Sequence, residues 1–237
     1  MHTAVRIKNL GKKYNKKHII KGLDLELPNG VIMGILGPNG SGKTTLMKIL
    51  AGIEGYTSGE VLINGRSPGI DTKKHVAFLT ENNQLFDWMS IKDAIGFYKD
   101  FFEDFDKDKC SELLELMGLN DNYHLKKLSK GLLQRLRLSL TLARNAELYL
   151  LDEPFMGIDT VTRDKIIKAI SSYFYPDSSI IITTHLIKEV ELILDYVSFM
   201  SEGKIVLFGD CDGLRFEKKQ SLEDMYRHIF SEKHSIS

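Results

Sequence analysis

Hydrophobic residues in the first third of the chain recur in short runs that are separated by turn residues. Runs that are rich in β-branched and aliphatic residues and bounded by Gly, Asn or Pro predict strands. The predicted strands are residues 4–8, 19–27, 31–36, 59–63 and 75–79. One helix is expected between them, from Lys43 to about Leu50, because glycines at positions 52 and 55 follow the helical pattern and end it.

The pattern changes to a helical period between about residues 87 and 144. In its clearest segment, 129–144, apolar residues fall on one stripe of a helix and polar residues on the other. The apolar stripe consists of Leu132, Leu133, Leu136, Leu140 and Ala143, and the polar stripe of Lys130, Gln134, Arg137, Thr141 and Arg144. Ser129 stands directly before this helix and is its predicted N-cap.

Apolar strands alternate with helices again after residue 145, which favours a parallel sheet covered on both faces. The predicted strands are residues 148–151, 180–184, 196–200 and 204–208, and the helices are 160–174 and 186–194. Glu202 and Gly203 form the expected hairpin turn before the last strand. The tail is polar, with one amphipathic stretch near residues 222–230.

This alternation predicts a single α/β domain, not two domains in series. We expect an α/β core at about residues 1–85 and 146–209, interrupted by an all-helical insertion at about 86–145. A short C-terminal extension is expected at residues 210–237.

Composition narrows the classes of function. Lys and Arg together equal Asp and Glu at 32 each, so a nucleic-acid binder that works through bulk positive charge is not expected. The sequence contains no run of the ~18 apolar residues that a membrane span needs, and no signal peptide. Cys110 and Cys211 lack metal-binding spacing, so we expect free thiols in a reducing, cytosolic compartment.

A complete GxxxxGK[ST] motif lies between the strand at 31–36 and the helix that begins at Lys43. Its residues are Gly37, Pro38, Asn39, Gly40, Ser41, Gly42, Lys43 and Thr44, and Thr45 follows them. Glycines let the backbone curl so that successive N–H groups face phosphate oxygens, and the helix N-terminus adds partial positive charge. Lys43 can reach the β- and γ-phosphates of a nucleotide, and the Thr44 hydroxyl can bind Mg²⁺.

Further polar residues follow two of the buried strands. Asp152 and Glu153 come at the end of the strand at 148–151, and His185 follows the strand at 180–184. Ligands of open α/β sheets bind at the carboxyl ends of the strands, so these side chains are expected beside the phosphate loop. Neighbouring strand residues point in opposite directions, so Asp152 is the candidate Mg²⁺ ligand and Glu153 the candidate base for an attacking water.

Together these segments resemble the ATP-binding cassette family. The resemblance covers about residues 14–209, and the motifs follow the family's order. The matches are Tyr14 for the aromatic that stacks on adenine, 37–45 for Walker A, 80–84 for the glutamine loop, 128–132 for the LSGGQ signature, 148–153 for Walker B with the catalytic glutamate, 157–159 for the D-loop, and His185 for the switch histidine.

The resemblance implies a fold, a reaction and cofactors. The fold is a P-loop NTPase (RecA-like) α/β core with an N-terminal antiparallel β subdomain and an all-helical insertion. The reaction is hydrolysis of ATP with Mg²⁺, in which Glu153 is the base, His185 contacts the γ-phosphate and Tyr14 stacks on the adenine. The glutamine-loop position falls on Glu81, with Gln84 as the alternative, and an acid at this position could contact Mg²⁺ or its waters.

The resemblance also implies partners. Two cassettes, either two copies of this chain or one copy and a homologue, would pack head to tail with each ATP between them. Ser129, Lys130 and Gly131 would contact the ATP of the partner through a helix N-terminus, and Asp159 would lie at the interface. A polytopic membrane permease would hold the dimer at the inner face of the cell membrane. The aromatic residues at 86–105 form either the core of the insertion or a groove for that permease, and no nucleic-acid partner is expected.

Two residues depart from the family's signature and bear on the direction of transport, and other residues bear on the alternative functions. Lys130 stands where the family often has Gly and Leu132 where it often has Gln, which resembles single-cassette exporter subunits, so export is the expected direction. The alternatives are a soluble cassette ATPase that acts on nucleic acid or the ribosome, and a switch that does not hydrolyse nucleotide. A single cassette without coiled-coil heptads argues against the first, and Glu153 with His185 argues against the second.

Overall fold

The computed structural model describes residues 3–80, 85–175 and 177–231. Its strands are β1 (Thr3–Tyr14), β2 (Lys17–Pro28), β3 (Ile32–Leu36), β4 (Ser58–Ile63), β5 (Val76–Leu79), β6 (Leu148–Asp152), β7 (Ser179–Thr184), β8 (Tyr196–Ser201) and β9 (Lys204–Asp210). Its helices are α1 (Lys43–Leu50), α2 (Ile70–Lys73), α3 (Ile91–Phe101), α4 (Lys107–Leu116), α5 (Lys130–Leu142), α6 (Thr160–Tyr173), α7 (Ile187–Val190), α8 (Cys211–Lys218) and α9 (Leu222–Ser231), with a 3₁₀ turn at Leu125–Lys127. None of the helices in these ranges is long and apolar enough to cross a bilayer.

The larger sheet has the strand order β5-β6-β7-β3-β8-β9. All its neighbouring strands are parallel except β8 and β9, which form the predicted hairpin. Every residue of β3, β6 and β7 is buried, as expected for strands whose two faces are both covered. The predicted parallel sheet is therefore confirmed.

A second, antiparallel sheet has the order β2-β1-β4. Strand β2 alternates strictly near its end, so that Leu23, Leu25 and Leu27 are buried while the residues between them are exposed. These side chains belong to one apolar cluster with Leu46 and Met47 of α1 and with residues of β3 and β6. Helix α1 therefore packs in the apolar cluster between the two sheets.

Helices α3, α4 and α5 lie between β5 and β6 in the chain. Ser129 is the N-cap of α5, as predicted, because its Oγ accepts a hydrogen bond from the Leu132 N–H at 3.2 Å. The predicted polar stripe of α5 is not a solvated face, because Gln134, Thr141 and Arg144 are all buried. Helix α5 contacts α3, α4, α6 and β5, so it is enclosed on several sides and its polar groups bond within the protein.

The C-terminal region differs from the prediction in two places. The helix expected at 186–194 is only the four residues of α7, and α8 was not predicted. Helix α8 buries only Cys211 and Leu214, which is too few apolar positions to produce a helical period. Its N-cap, Asp210, accepts a hydrogen bond from the Gly213 N–H at 2.6 Å.

Both cysteines are free and buried, which confirms the expectation of free thiols. Burial raises the pKa of the Cys110 and Cys211 thiols to about 12. Neither thiol is therefore activated as a nucleophile.

Arg144 joins the helical insertion to the core sheet. Its guanidinium makes a bidentate ion pair with Asp104, at 2.9 Å from Nε and 3.0 Å from Nη2. The same group donates to the backbone carbonyls of Val76 and Lys74, each at 2.7 Å, and lies 4.0 Å from the ring centre of Phe102. Because the Arg144 side chain is only 4% exposed, this charge depends on these partners.

We predict that Asp104→Ala lowers the free energy of unfolding by about 3 kcal/mol, because the substitution leaves a buried cation without its counter-ion. Urea unfolding followed by circular dichroism measures this change. Asp100→Ala is the matched control, since Asp100 is an exposed carboxylate on α3. Equal stability of the two variants would show that the Arg144 pair contributes little.

Candidate active site

The loop between β3 and α1 has a backbone that only glycine accommodates at several positions. Gly40 and Gly42 have φ values of 79° and 109°, in the left-handed region. A Cβ on Gly37 would lie 2.2 Å from the carbonyl oxygen of Met200 in β8. These glycines let the loop curl tightly against the end of the sheet.

Helix α1 begins without a side-chain cap, because its N-cap residue is Gly42. The first intrahelical bond runs from the Leu46 N–H to the Gly42 carbonyl at 2.9 Å. The N–H groups of the first turn of a helix have no intrahelical acceptor and carry partial positive charge. The start of α1 is therefore suited to bind an anion such as a phosphate.

Lys43 is buried beside this loop. Its Nζ donates hydrogen bonds to the carbonyls of Gly37 at 2.8 Å and Pro38 at 3.3 Å. Burial lowers the pKa of the Lys43 ammonium, while the charges of Glu153 and Asp152 raise it. The two carboxylates therefore favour a cation at the base of the loop.

A cleft of about 690 Å³ brings the loop together with two of the three predicted strand-end residues, and the third, Asp152, does not line it. Glu153 and His185 line it beside the phosphate loop, as the common strand-end position of these residues predicts. Among the described residues, the lining is Lys17, His18, Ile19, Lys21, Asn39, Gly40, Gly42, Lys43, Thr44, Thr45, Glu153, Met156, His185 and Glu202. The cleft therefore combines an anion cradle with a carboxylate and an imidazole.

Glu153 and His185 form a pair at the edge of this cleft. Glu153 Oε2 and His185 Nδ1 are 3.0 Å apart, and the two side chains are 19% and 52% exposed. Glu153 has a left-handed backbone with φ of 48°, and its N–H donates to the Thr183 carbonyl at 3.0 Å. Non-glycine residues in this conformation concentrate at functional sites.

Asp152 has a different environment from its neighbour. It is 4% exposed, and its Oδ1 accepts a hydrogen bond from the Thr183 hydroxyl. Thr183 thus holds Asp152 through its side chain and Glu153 through its backbone. The two adjacent acids face different surroundings, as expected for consecutive strand residues.

The Thr44 hydroxyl lines the cleft, and the buried Asp152 carboxylate, which does not line it, is near enough to Lys43 for its charge to raise the Lys43 pKa. Both groups are oxygen ligands of the kind that Mg²⁺ prefers. Within the described residues no group of three or more His, Cys, Asp or Glu side chains could hold a metal on its own. Mg²⁺ is commonly held by one or two protein oxygens together with substrate phosphates, and Thr44 and Asp152 could supply such oxygens. Ser41 Oγ, in the same loop, is buried and makes no hydrogen bond with the described residues, so a polar atom remains available at the cradle.

The signature residues Ser129, Lys130 and Gly131 do not line the cleft. They lie at the start of α5, where a Cβ on Gly131 would be 3.2 Å from the Gly157 carbonyl. Asp159 caps α6 by accepting from the Thr162 N–H at 3.0 Å. A hydrogen bond with the Thr162 side chain, followed by this backbone bond, lowers the pKa of the Asp159 carboxyl. The signature and the D-loop of one chain are therefore neighbours, and neither lines the cleft beside its own phosphate loop.

Tyr14 lies next to the cleft but does not line it. Its ring is 4.8 Å from Lys12 Nζ, and its side chain hydrogen-bonds with those of Glu54 and Thr45. Burial is the main cause that raises the pKa of the Tyr14 hydroxyl, followed by Glu54. The remaining predicted contacts, Glu81 and Gln84, lie outside the described residues.

Six cleft residues were not predicted as site residues from the sequence: Lys17, His18, Ile19, Lys21, Met156 and Glu202. The turn between β8 and β9 brings several of them to the site. The Gly203 N–H donates to the Ser41 carbonyl, and the Lys21 N–H donates to the Gly203 carbonyl, both at 2.9 Å. Such contacts between distant segments leave no periodic signal in the sequence.

Comparisons with known proteins identify the family of this chain. Residues 20–156 match the protein-family model described as ABC transporter. The Lantibiotic transport ATP-binding protein SrtF of Streptococcus pyogenes is 30% identical over 226 residues, 94% of this chain and 96% of SrtF. The Taurine import ATP-binding protein TauB of Roseobacter denitrificans is 34% identical over 203 residues, 81% of this chain and 75% of TauB. A solved structure of an ATP binding subunit of an ABC transporter has a TM-score of 0.85 at 20% identity, over 96% of this chain and 99% of that chain.

The fold and the site define a P-loop NTPase with an antiparallel β-sheet and a helical insertion, which confirms the predicted fold class. The chain belongs to the ABC transporter family. Within that family it is an ATP-binding subunit and an ATPase.

We predict that Lys43→Ala raises the Kd for ATP on the order of tenfold to a hundredfold, because hydrogen bonds to charged groups contribute about 1.5–3 kcal/mol each. Titration with a fluorescent ATP analogue measures the affinity. Lys48→Ala is the matched control, since Lys48 lies in the last turn of α1 and does not line the cleft. An affinity unchanged by Lys43→Ala would contradict the assignment of the phosphate loop.

Proposed function

We propose that this subunit hydrolyses Mg²⁺-ATP with Glu153 as the general base and His185 as its partner. The observation that carries the proposal is the 3.0 Å contact between Glu153 Oε2 and His185 Nδ1 in the cleft that also contains the phosphate loop. Carboxylates accept a proton from an attacking water when they are held in position. Contact with the imidazole would fix the orientation of the Glu153 carboxylate.

Further residues in the cleft, beside it and predicted from the sequence would bind the nucleotide and neutralise its charge. Lys43 and the N-terminus of α1 would hold the phosphates. Thr44 and Asp152 would hold Mg²⁺, with Glu81 as a further contact. Bound Mg²⁺ offsets phosphate charge and polarises the reacting group. Tyr14 would stack on the adenine from its position beside Thr45.

We propose further that two cassettes share each ATP. Ser129, Lys130 and Gly131 lie outside the cleft of their own chain, and Ser129 begins α5 with its N-terminus exposed. A helix start of this kind binds anions, so it can serve the nucleotide of a second cassette. Asp159, which lies beside the signature helix through a 3.8 Å contact with Arg135, would then lie at the interface.

We predict that Glu153→Gln binds ATP but hydrolyses it at least about a hundredfold more slowly, because the general base is lost. This variant should accumulate as an ATP-bound dimer in size-exclusion chromatography with light scattering. Glu60→Gln, a change of an exposed glutamate in β4, is the matched control and should hydrolyse normally. Normal hydrolysis by Glu153→Gln would exclude Glu153 as the base.

The same assay tests the shared site. Ser129→Asp preserves an N-cap acceptor for α5 but adds a negative charge where the partner's phosphate would bind. In the Glu153→Gln background it should abolish the ATP-dependent dimer while ATP binding to the monomer remains. A dimer that persists with this added charge would contradict the shared site.

We propose a membrane permease as the second partner, docked on the start of the helical insertion. Phe86 and Trp88 are 54% and 70% exposed, and their rings stack with centroids 5.9 Å apart. The aromatic residues that follow are divided: Tyr98 and Phe105 pack on the core, whereas Phe101 is 68% exposed. Exposed aromatic pairs of this kind are typical of protein interfaces.

Export remains our proposed direction of transport. It is supported by the match with SrtF, a lantibiotic transport protein, over nearly the full length of both chains, and by Lys130 and Leu132 in the signature. TauB, at a similar level of identity, is named for import. Substrate movement into or out of vesicles that contain the permease and this subunit would decide the direction.

We predict that Trp88→Glu abolishes copurification of this subunit with a polytopic membrane protein from detergent-solubilised host membranes. The added charge would oppose burial of the ring in an apolar interface. Ile70→Glu is the matched control, because Ile70 is 81% exposed and belongs to α2. Copurification of a nucleic acid in place of a membrane protein would favour a non-transport cassette.

A further inference from the structure

The C-terminal helix α9 is tied to the segment that follows His185. The Leu222 N–H, at the start of α9, donates to Glu191 Oε1 at 3.0 Å, and Lys188 pairs with Glu223 at 3.3 Å. Helix α8 adds a third tie, because Arg215 Nη2 donates to the Glu191 carbonyl at 2.8 Å. Both α8 and α9 therefore bond to Glu191, which directly follows α7, and α9 also bonds to α7 itself.

Tyr226 anchors α9 to the core sheet. Its ring lies 4.4 Å from that of Phe230 and 5.8 Å from that of Phe199, centre to centre, with an edge-on angle of 86° to Phe199. Phe199 is paired across the sheet with Leu36, the last residue of β3 before the phosphate loop. The aromatic contact thus fixes α9 at the edge of the sheet that contains the active site.

A cavity of about 300 Å³ separates α9 from the switch histidine. His185 and Tyr226 both line it, and the other lining residues are Leu186, Ile187, Lys188, Glu189, Glu223 and Arg227. His185 also lines the nucleotide cleft, so its imidazole lies between the two spaces. Burial, followed by the charge of Glu153, raises the pKa of the Tyr226 hydroxyl, which agrees with a position near the catalytic pair.

The segment after His185 has little support of its own. Helix α7 has only four residues, too few for a helix to be stable by itself. One local hydrogen bond restrains the start of this segment: the Leu186 N–H donates to Thr184 Oγ1, two residues earlier, at 3.0 Å. The other restraints on this segment come from neighbouring elements: Arg163 of α6 pairs with Glu189 at 2.7 Å, and α7 packs against α6 and α9.

We propose that α9 is a clamp on the switch segment and that Tyr226 is a positioning residue, which holds His185 in contact with Glu153. The proposal rests on the proposed function, in which Glu153 and His185 are the reacting pair. The ring of Tyr226 provides the restraint through packing, because the described contacts of this residue are aromatic. A small change in the position of His185 would loosen the Glu153 carboxylate and slow hydrolysis without affecting the phosphate loop.

The test compares Tyr226→Ala with Tyr226→Phe and Phe216→Ala in the full chain. We expect Tyr226→Ala to lower kcat for ATP hydrolysis about tenfold, since small displacements of reacting groups cost up to ~100-fold in rate. The Kd for ATP should stay within about twofold, because ground-state binding is not involved. Tyr226→Phe should restore the wild-type rate, and Phe216→Ala, which removes an 88% exposed ring from α8, should not change it.

Nitrogen-15 NMR of the His185 imidazole gives a readout that does not depend on turnover. The His185 signals are assigned by their absence in His185→Ala. Tyr226→Ala should change the chemical shifts of the His185 nitrogens, because Nδ1 would lose its contact with Glu153. Phe216→Ala should leave these chemical shifts unchanged. Unchanged kcat together with unchanged His185 signals in folded Tyr226→Ala would overturn the proposal.

Glu191 provides a second variant if Tyr226→Ala does not fold. Glu191→Ala removes the acceptor of the Leu222 N–H and should reproduce the loss of kcat, whereas Glu191→Gln keeps an acceptor oxygen and should be close to wild type. Equal rates of these two variants would also overturn the clamp. A wild-type chain without ATPase activity would instead contradict the proposed function, and the NMR comparison would then test the clamp by itself.

Discussion

The parallel pairing of β3, β6 and β7 is the constraint on which the site depends. Leu36 pairs with Thr184, and Asp152 pairs with Thr183, so the carboxyl ends of the three strands are aligned at one edge. These strands are entirely buried and form the centre of the sheet, and their ends are fixed starting points for the segments that follow. The phosphate loop, Glu153 and His185 are short continuations of these ends. The position of the cleft therefore follows from the sheet.

Segments that are distant in sequence bond the loops that follow the carboxyl ends of these strands. The Gly203 turn bonds the backbone of Ser41, and Gln134 of α5 donates to the Pro154 carbonyl at 3.4 Å, just after the acidic pair. Arg144, two residues after the end of α5, donates to the Val76 carbonyl in β5. Because α5 also begins with the signature residues, one helix connects the surface offered to a second cassette with the acids of its own site.

Sequence patterns predicted the strands, α1 and the N-cap Ser129 because each depends on local spacing or on one residue type at one position. The cleft residue Lys21 could not be predicted in this way, since its N–H bonds the Gly203 carbonyl in the β8–β9 turn, and the same turn bonds Ser41 of the phosphate loop. The sequence pattern placed Arg144 in a polar stripe. In the structure Arg144 is buried, and its bonds to the Asp104 carboxylate and the Val76 carbonyl make this burial possible. Periodicity distinguishes polar from apolar faces, whereas the burial of a polar side chain depends on which groups meet it.

The left-handed backbone of Glu153 has a consequence for how stability is distributed in this protein. An L-residue in that conformation costs about 1–2 kcal/mol that glycine would not. A glycine at this position would relieve the backbone strain but remove the carboxylate. Because Glu153 is kept, the folded state retains this strain, and the hydrogen bonds from the Glu153 N–H to Thr183 must offset it. Variants selected for heat resistance alone should therefore tend to lose the acid at this turn, and any screen for stability must also select for activity.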